Sequence, residues 1–234
     1  MKKSVLIGLI LAATTAGTSA NELSKQNLVE RSLTLKDSEL VFSGGLFHGE
    51  TGDENDTGLA LNAGYGLTDN LTVGLGGARY RFIERANDGQ GLEMAFSLGA
   101  KGHMEQNNED VHGYGADVIG KYVFSSDFAL LFAAEYVYWN HKGTDDASEN
   151  RYTLGAQYQV VDNLTWSVDY TYRDLKDFNQ DHAYSASTGL QYGLSKNTDV
   201  GVMFAYSDFD TEKNGYDTDS AYKRNVGAYV NYRF

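Results

Sequence analysis

Leu164-Thr165-Trp166-Ser167-Val168-Asp169-Tyr170-Thr171-Tyr172-Arg173 decides the fold. Leu164, Trp166, Val168, Tyr170 and Tyr172 fall on one face of an extended chain, and Thr165, Ser167, Asp169, Thr171 and Arg173 on the other. That is the period of two of a β-strand with one greasy side and one wet side. In a soluble sandwich the greasy side would meet a second sheet. In a membrane barrel it meets hydrocarbon, while the wet side lines the lumen.

The same split recurs along the chain. Tyr152, Leu154, Ala156, Tyr158 and Val160 alternate with Thr153, Gly155, Gln157 and Gln159. From Phe128 the outward set runs through Leu130, Phe132, Ala134, Tyr136 and Tyr138, with Glu135 the one charge opposite. At the C-terminus Tyr222, Val226, Ala228, Val230, Tyr232 and Phe234 share a face against Lys223, Asn225, Tyr229, Asn231 and Arg233, with Arg224 assigned to the outer rim. Further strands are expected over 39–48, 57–67, 71–82, 91–103, 111–124, 182–194 and 198–209. Tight connections at Thr68-Asp69-Asn70, Ser125-Ser126-Asp127, Asp162-Asn163 and Ser195-Lys196-Asn197 contrast with longer acidic ones near 49–56, 104–110, 141–149, 174–181 and 208–219. Short turns at the periplasmic end and long loops outside are the pattern of an outer-membrane barrel, and Phe128, Tyr138, Trp139 and Tyr172 suit its aromatic girdles.

The first residues give the address. Lys2 and Lys3, the apolar run Val5 to Ala13 and the small residues Thr18-Ser19-Ala20 read as a signal peptide over 1–20, cleaved after Ala20. A helical span needs roughly 20 apolar residues, and no later segment offers them. The mature chain, 21–234, therefore enters a bilayer as strands, with 21–30 as a periplasmic lead-in. Composition agrees, with 26 Gly, 17 Tyr and 11 Phe, and with no Cys to staple an exported fold. A net charge of −13 argues against nucleic acid as a partner.

The strand count is less settled. The segments above give eleven, and bacterial single-chain barrels use an even number. A strand in 29–36, where Leu33 and Leu35 alternate with Ser32 and Thr34, makes twelve. It also puts Thr68-Asp69-Asn70 at the outer end, against its resemblance to a periplasmic turn, so a misreading between 83 and 124, and a count of ten, stay open.

Two resemblances bear on the class. The final segment, apolar at every second residue back from Phe234 and ending Tyr232-Arg233-Phe234, resembles the C-terminal signature of outer-membrane proteins, which implies the barrel assembly machinery as a partner. Gly91 to Leu175, through Gly99-Ala100-Lys101-Gly102, Ala134-Glu135-Tyr136-Val137-Tyr138 and Val160-Val161-Asp162-Asn163-Leu164, is similar to the YfaZ-type family of small outer-membrane proteins, which implies a barrel and no established activity. Gly189 to Phe234 resembles the last strands of general porins.

Motifs for chemistry are weak. His48, His103, His112, His141 and His182 lie in no hydrolase or zinc-protease pattern. His182 and Ser185 fall on opposite faces of their strand, and so do the neighbours Asp181 and His182. No catalytic residue is assigned. Asp208, Asp210, Glu212, Asp217 and Asp219 lack the glycine and terminal glutamate spacing of a calcium loop, so no metal and no cofactor are expected, and solvated loops are the stronger reading.

The lumen face is what remains. Glu93, Lys101, Asp117, Lys121, Glu135, Asp169, Arg173, Lys223 and Arg233 are expected to point inward, a nearly balanced set that favours neither anions nor cations. The sequence thus gives a monomeric, all-β, antiparallel up-and-down barrel of twelve strands in the Gram-negative outer membrane, in contact with its lipid and lipopolysaccharide. A narrow passive channel for ions or small hydrophilic solutes is the first functional expectation. A plugged structural or surface-contact barrel acting through acidic extracellular loops is the second.

Overall fold

A computed structural model describes residues 28–52, 54–86, 88–107, 109–141 and 146–234. The expected signal peptide, 1–20, lies outside the described residues, as do residues 21–27.

Twelve antiparallel strands close into a barrel, each bonded to its neighbours in the chain and β1 to β12. They are β1 (Leu40–Thr51), β2 (Glu54–Thr68), β3 (Leu71–Gly74), β4 (Gly77–Ile83), β5 (Gly91–Gln106), β6 (Glu109–Ser125), β7 (Phe128–Asn140), β8 (Ala147–Val161), β9 (Leu164–Lys176), β10 (His182–Ser195), β11 (Thr198–Ser207) and β12 (Arg224–Arg233). Closure gives every strand a partner on both sides and satisfies the ladder within the wall, as a membrane requires, except above the short β3–β4 hairpin. The greasy face of the deciding stretch points out: Trp166, Val168 and Tyr170 are exposed on β9. Leu154, Phe204, Val226 and Phe234 continue that apolar wall.

The twelfth strand does not come from 29–36. It comes from 71–82, read above as one strand and found as two, β3 and β4, joined by a turn at Leu75 and Gly76. Counts of ten, and a misreading between 83 and 124, are thereby corrected. With this extra turn Thr68-Asp69-Asn70 lies at the end shared by the other tight turns and the C-terminus, as its composition suggests. The β3–β4 hairpin is short because the backbone folds back on itself against β5. Gly77 has φ of +141°, and a Cβ there would lie 2.1 Å from the carbonyl oxygen of Leu98. Gly99 opposite has φ of +149°, with 2.0 Å to the carbonyl oxygen of Gly76. Only glycine fits either position.

Residues 28–36 pass into the barrel instead. Their alternation is that of a strand, but their backbone groups are satisfied by side chains: Leu33 N–H donates to Glu93 (3.1 Å) and Leu35 N–H to the Thr72 hydroxyl (2.8 Å). Val29 packs on Val123 and Ala129, Leu33 on Ala95 and Ile119, and Leu35 on Val41. Of the expected lead-in, Leu28 and Val29 are fully buried in this plug.

At the other end the connections at 52–53 and 107–108 are shorter than expected, because β1, β2, β5 and β6 extend through much of the segments read as loops. The 208–223 connection folds inward, where Phe209 and Tyr216 join Trp139, Met104, Val111 and Leu175 in a buried cluster.

Candidate functional site

The lumen holds a plug near the C-terminal end, a cavity at mid-height and an aromatic cap. In the plug, the Arg31 guanidinium grips Asp199 with both terminal nitrogens, at 2.6 and 2.5 Å, and Arg233 donates to the same carboxylate at 2.6 Å. Burial pushes the Arg31 guanidinium below its ordinary value, opposed by Asp199. Glu93, fully buried, accepts from Ser32 and from Arg81 (3.0 Å), with Arg85 at 3.2 Å. Lys121 Nζ donates to the Arg31 carbonyl at 3.0 Å. These charges tie the plug to β4, β5, β6, β11 and β12.

Around the cavity, acids and bases alternate across the wall. Lys101 pairs with Asp117 and with Glu135 (3.1 Å). Arg151 bridges Glu135 (2.9 Å) and Glu149 (2.7 Å), and Glu149 also binds Arg173 (2.6 Å). Asp169 is half-buried and accepts from Ser187. The cavity measures about 480 Å³, with Lys101, Glu135, Arg151, Asp169 and Arg173 in its lining. Sparse charges among small and apolar side chains, each already paired, can hold water and solvate a passing ion without binding it tightly.

The cap is closed by Phe209, whose ring lies 4.4 Å from the Arg173 guanidinium carbon, and by the buried Tyr216. His141 Nε2 lies 2.7 Å from the Tyr216 hydroxyl, and partial burial lowers the imidazole below its ordinary range.

Of the expected lumen set, Glu93, Lys121 and Arg233 are buried at the plug, and Lys101, Asp117, Glu135, Asp169 and Arg173 line or adjoin the cavity. Lys223 does not join them: it precedes β12 and is exposed at the rim. Tyr222, expected outward, turns inward instead, its phenol oxygen 2.9 Å from where a Cβ on Gly58 would sit. The strand alternation holds only from Arg224 on. Trp139 is corrected too. Expected in a girdle, it is buried in the lumen, as its place beside the outward Tyr138 requires, and its indole N–H donates to Glu149 at 2.9 Å. Tyr232 and Phe234 lie outside, edge to face at 4.6 Å. His182 is exposed and stacks near Tyr172, whereas Ser185 borders the cavity, so the two stay on opposite faces.

Arg31, Glu149, Arg151 and Asp199 escaped the sequence reading. Glu149 and Arg151 share the parity of Thr153, and Asp199, already within the expected strand 198–209, that of Gly201, so extending β8 by a few residues and carrying the alternation through β11 finds three of the four.

A closed antiparallel barrel with an apolar outer wall and a charged interior defines an outer-membrane barrel protein. Residues 83–212, more than half of the chain, match the model of the Gram-negative porin family, so the chain belongs to that family. This span takes in the stretch similar to the YfaZ-type family and part of the C-terminal strands. No curated protein sequence matches. Among solved structures the NanC porin is 13% identical, with a TM-score of 0.56 over 82% of this chain and 98% of that one. The KdgM porin is 11% identical, with a TM-score of 0.50 over 82% and 99%. The CymD monoaromatic hydrocarbon channel is 12% identical, with a TM-score of 0.50 over 85% and 88%. At such identities the likeness is one of fold. The protein is thus a porin-like channel of the outer membrane.

Proposed function

We propose that the chain is a narrow, monomeric, passive channel for ions and small hydrophilic solutes, with residues 28–36 as an internal plug. The cavity of about 480 Å³ with its paired charges supports this. A barrel of about eight strands is filled by its own side chains and one of about sixteen leaves an open aqueous channel. Twelve leave space that a single chain segment can fill. Passage then requires the plug or cap to move, and no chemistry on the solute is involved.

In this reading the leader at 1–20 exports the chain, the assembly machinery reads Tyr232 and Phe234, and lipid and lipopolysaccharide surround the wall. Planar-bilayer recording of the purified protein tests it. Small conductance is expected from the full mature chain and a larger one after deletion of residues 28–36. A plug-deleted barrel that is folded yet conducts no more than a bare bilayer would reject the channel.

The two packed ends favour a second reading, a plugged barrel whose acidic outer loops make surface contacts. Shortening the 208–219 loop would then abolish surface binding while leaving permeability unchanged.

A further inference from the structure

The short β3–β4 hairpin leaves the wall incomplete above it. Among the described residues, β2 pairs with β3 only from Gly64 downward, and β5 with β4 only up to Gly99. One more bond on each side, Leu75 N–H to the Ala63 carbonyl and Ala100 N–H to the Gly76 carbonyl, closes the hairpin turn. Beyond it no strand lies between residues 54–62 of β2 and 101–106 of β5. At the turn those two strands are three inter-strand spacings apart, roughly 14 Å.

This gap is a window with a complete frame. Its upper rim is the 208–223 connection, which reaches across to β5: Glu105 N–H donates to the Ser220 hydroxyl (2.8 Å), and Asp217 N–H to the Glu105 carbonyl (2.8 Å). Its outer face is leucine along β2 and at the turn, where Leu59, Leu61 and Leu75 are exposed, with Leu98 exposed just below the gap on β5, whose own edge of the window, 101–106, carries no leucine. Its inner face carries Gly58, Ala60 and Gly102, with Tyr222 standing against Gly58 and Trp139 against Gly102, and all five line the cavity. The cavity therefore reaches both sides of the window, while the plug and the aromatic cap obstruct its two ends.

An incomplete ladder inside hydrocarbon is tolerated only where the open backbone meets protein or water. The leucines on β2 and at the turn set the lower part of the window at hydrocarbon depth, and the lumen behind it supplies the water. We propose that the β2–β5 window is a lateral portal through which a small amphiphile passes between the cavity and the lipid. Its apolar body crosses between the leucines, and its polar head remains on the Lys101–Glu135 side. This function goes beyond the conduction of ions along the barrel axis and does not depend on it.

Trp139 makes the portal testable, because its ring carbon Cη2 lies 2.5 Å from where a Cβ on Gly102 would sit. The chain's other tryptophan, Trp166, faces lipid and is replaced by phenylalanine for the measurement. The protein is placed in phosphatidylcholine vesicles containing a doxyl-labelled nonane, a quencher that stays in hydrocarbon. Trp139 fluorescence is expected to be quenched although the residue is inside the barrel. Ala60→Phe, which fills the window, is expected to reduce quenching several-fold. A reducible bis-maleimide bridge between Asn62→Cys and Met104→Cys is expected to do the same and to be reversed by reductant, the chain having no cysteine of its own. Heat-modifiable gel migration identifies folded barrels, and only those are compared. Absence of Trp139 quenching in a folded barrel overturns the portal, and so does quenching that neither block reduces. Axial conductance measured on the same variants reports separately on the ion channel.

Discussion

Arg31 and Asp199, separated by 168 positions in the chain, meet inside the barrel through two hydrogen bonds of 2.6 and 2.5 Å. Asp199 is fully buried and also holds Arg233, so one carboxylate balances two guanidiniums. The pairing fixes the N-terminal segment to the last two strands. It also makes the two ends of the bond unequal, since Asp199 keeps Arg233 when Arg31 is lost, whereas both guanidiniums lose their shared carboxylate when Asp199 is lost and Arg233 is left with Glu39 at 3.8 Å.

Asp199→Ala is expected to loosen the plug more than Arg31→Ala. Removing one partner of a buried pair costs about 3–5 kcal/mol because the other charge is stranded. Conductance in planar bilayers should therefore rise further in Asp199→Ala, with a lower unfolding temperature in detergent. Equal behaviour of the two variants would contradict the shared-carboxylate account.

Gly77→Ala and Gly99→Ala are each expected to destabilise the barrel by at least about 1–3 kcal/mol, the cost of a strained backbone conformation, with steric overlap added. Gly76→Ala is the matched control, because a Cβ there meets nothing within 4 Å. Thermal unfolding followed by circular dichroism should separate the control from the other two.

Glu135→Gln removes one acid from the cavity wall and leaves Lys101 and Arg151 less balanced. In the plug-deleted channel the reversal potential in a salt gradient should move toward anion preference. A shift toward cations would show that Glu135 does not face the conducting path.

Acid should open the aromatic cap. The His141 imidazole is held below its ordinary value by partial burial, with Asp146 pulling the other way. A histidine with a lowered value stabilises the closed state when neutral. That contribution is complete above the ordinary histidine value, about 6.5, and is lost as the pH falls from there through the lowered one. Tryptic cleavage at Lys213 should accelerate between neutral and mildly acidic pH, and His141→Gln should flatten the change.

The wall of the barrel was legible because every second residue had to dissolve in hydrocarbon, as Trp166, Val168 and Tyr170 do on β9. The β3–β4 turn was legible in principle. Leu71 and Val73 point outward at odd positions, Tyr80 and Phe82 at even ones, and the phase changes within Gly74-Leu75-Gly76-Gly77. Reading 71–82 as a single strand passed over that change. The plug could not be recognised from alternation, because Leu33 and Leu35 repeat at strand period whether their N–H groups meet a ladder or the side chains of Glu93 and Thr72. Long-range ion pairs such as Arg31–Asp199 leave no local pattern. Lys223 and Tyr222 were misassigned because the period of two was extended through a connection that does not follow it.

The segment that carries Arg31 is synthesised before the wall it sits in, yet its guanidinium anchors to β11, beside Arg233 of β12. Those strands complete the cylinder, where β12 zips to β1 from Arg233–Val41 to Arg224–Glu50. The clasp at Asp199 therefore straddles the seam, tying the segment that runs into β1 to the two strands on the far side of the closure, so that the cylinder is fastened by side-chain charge as well as by its last ladder.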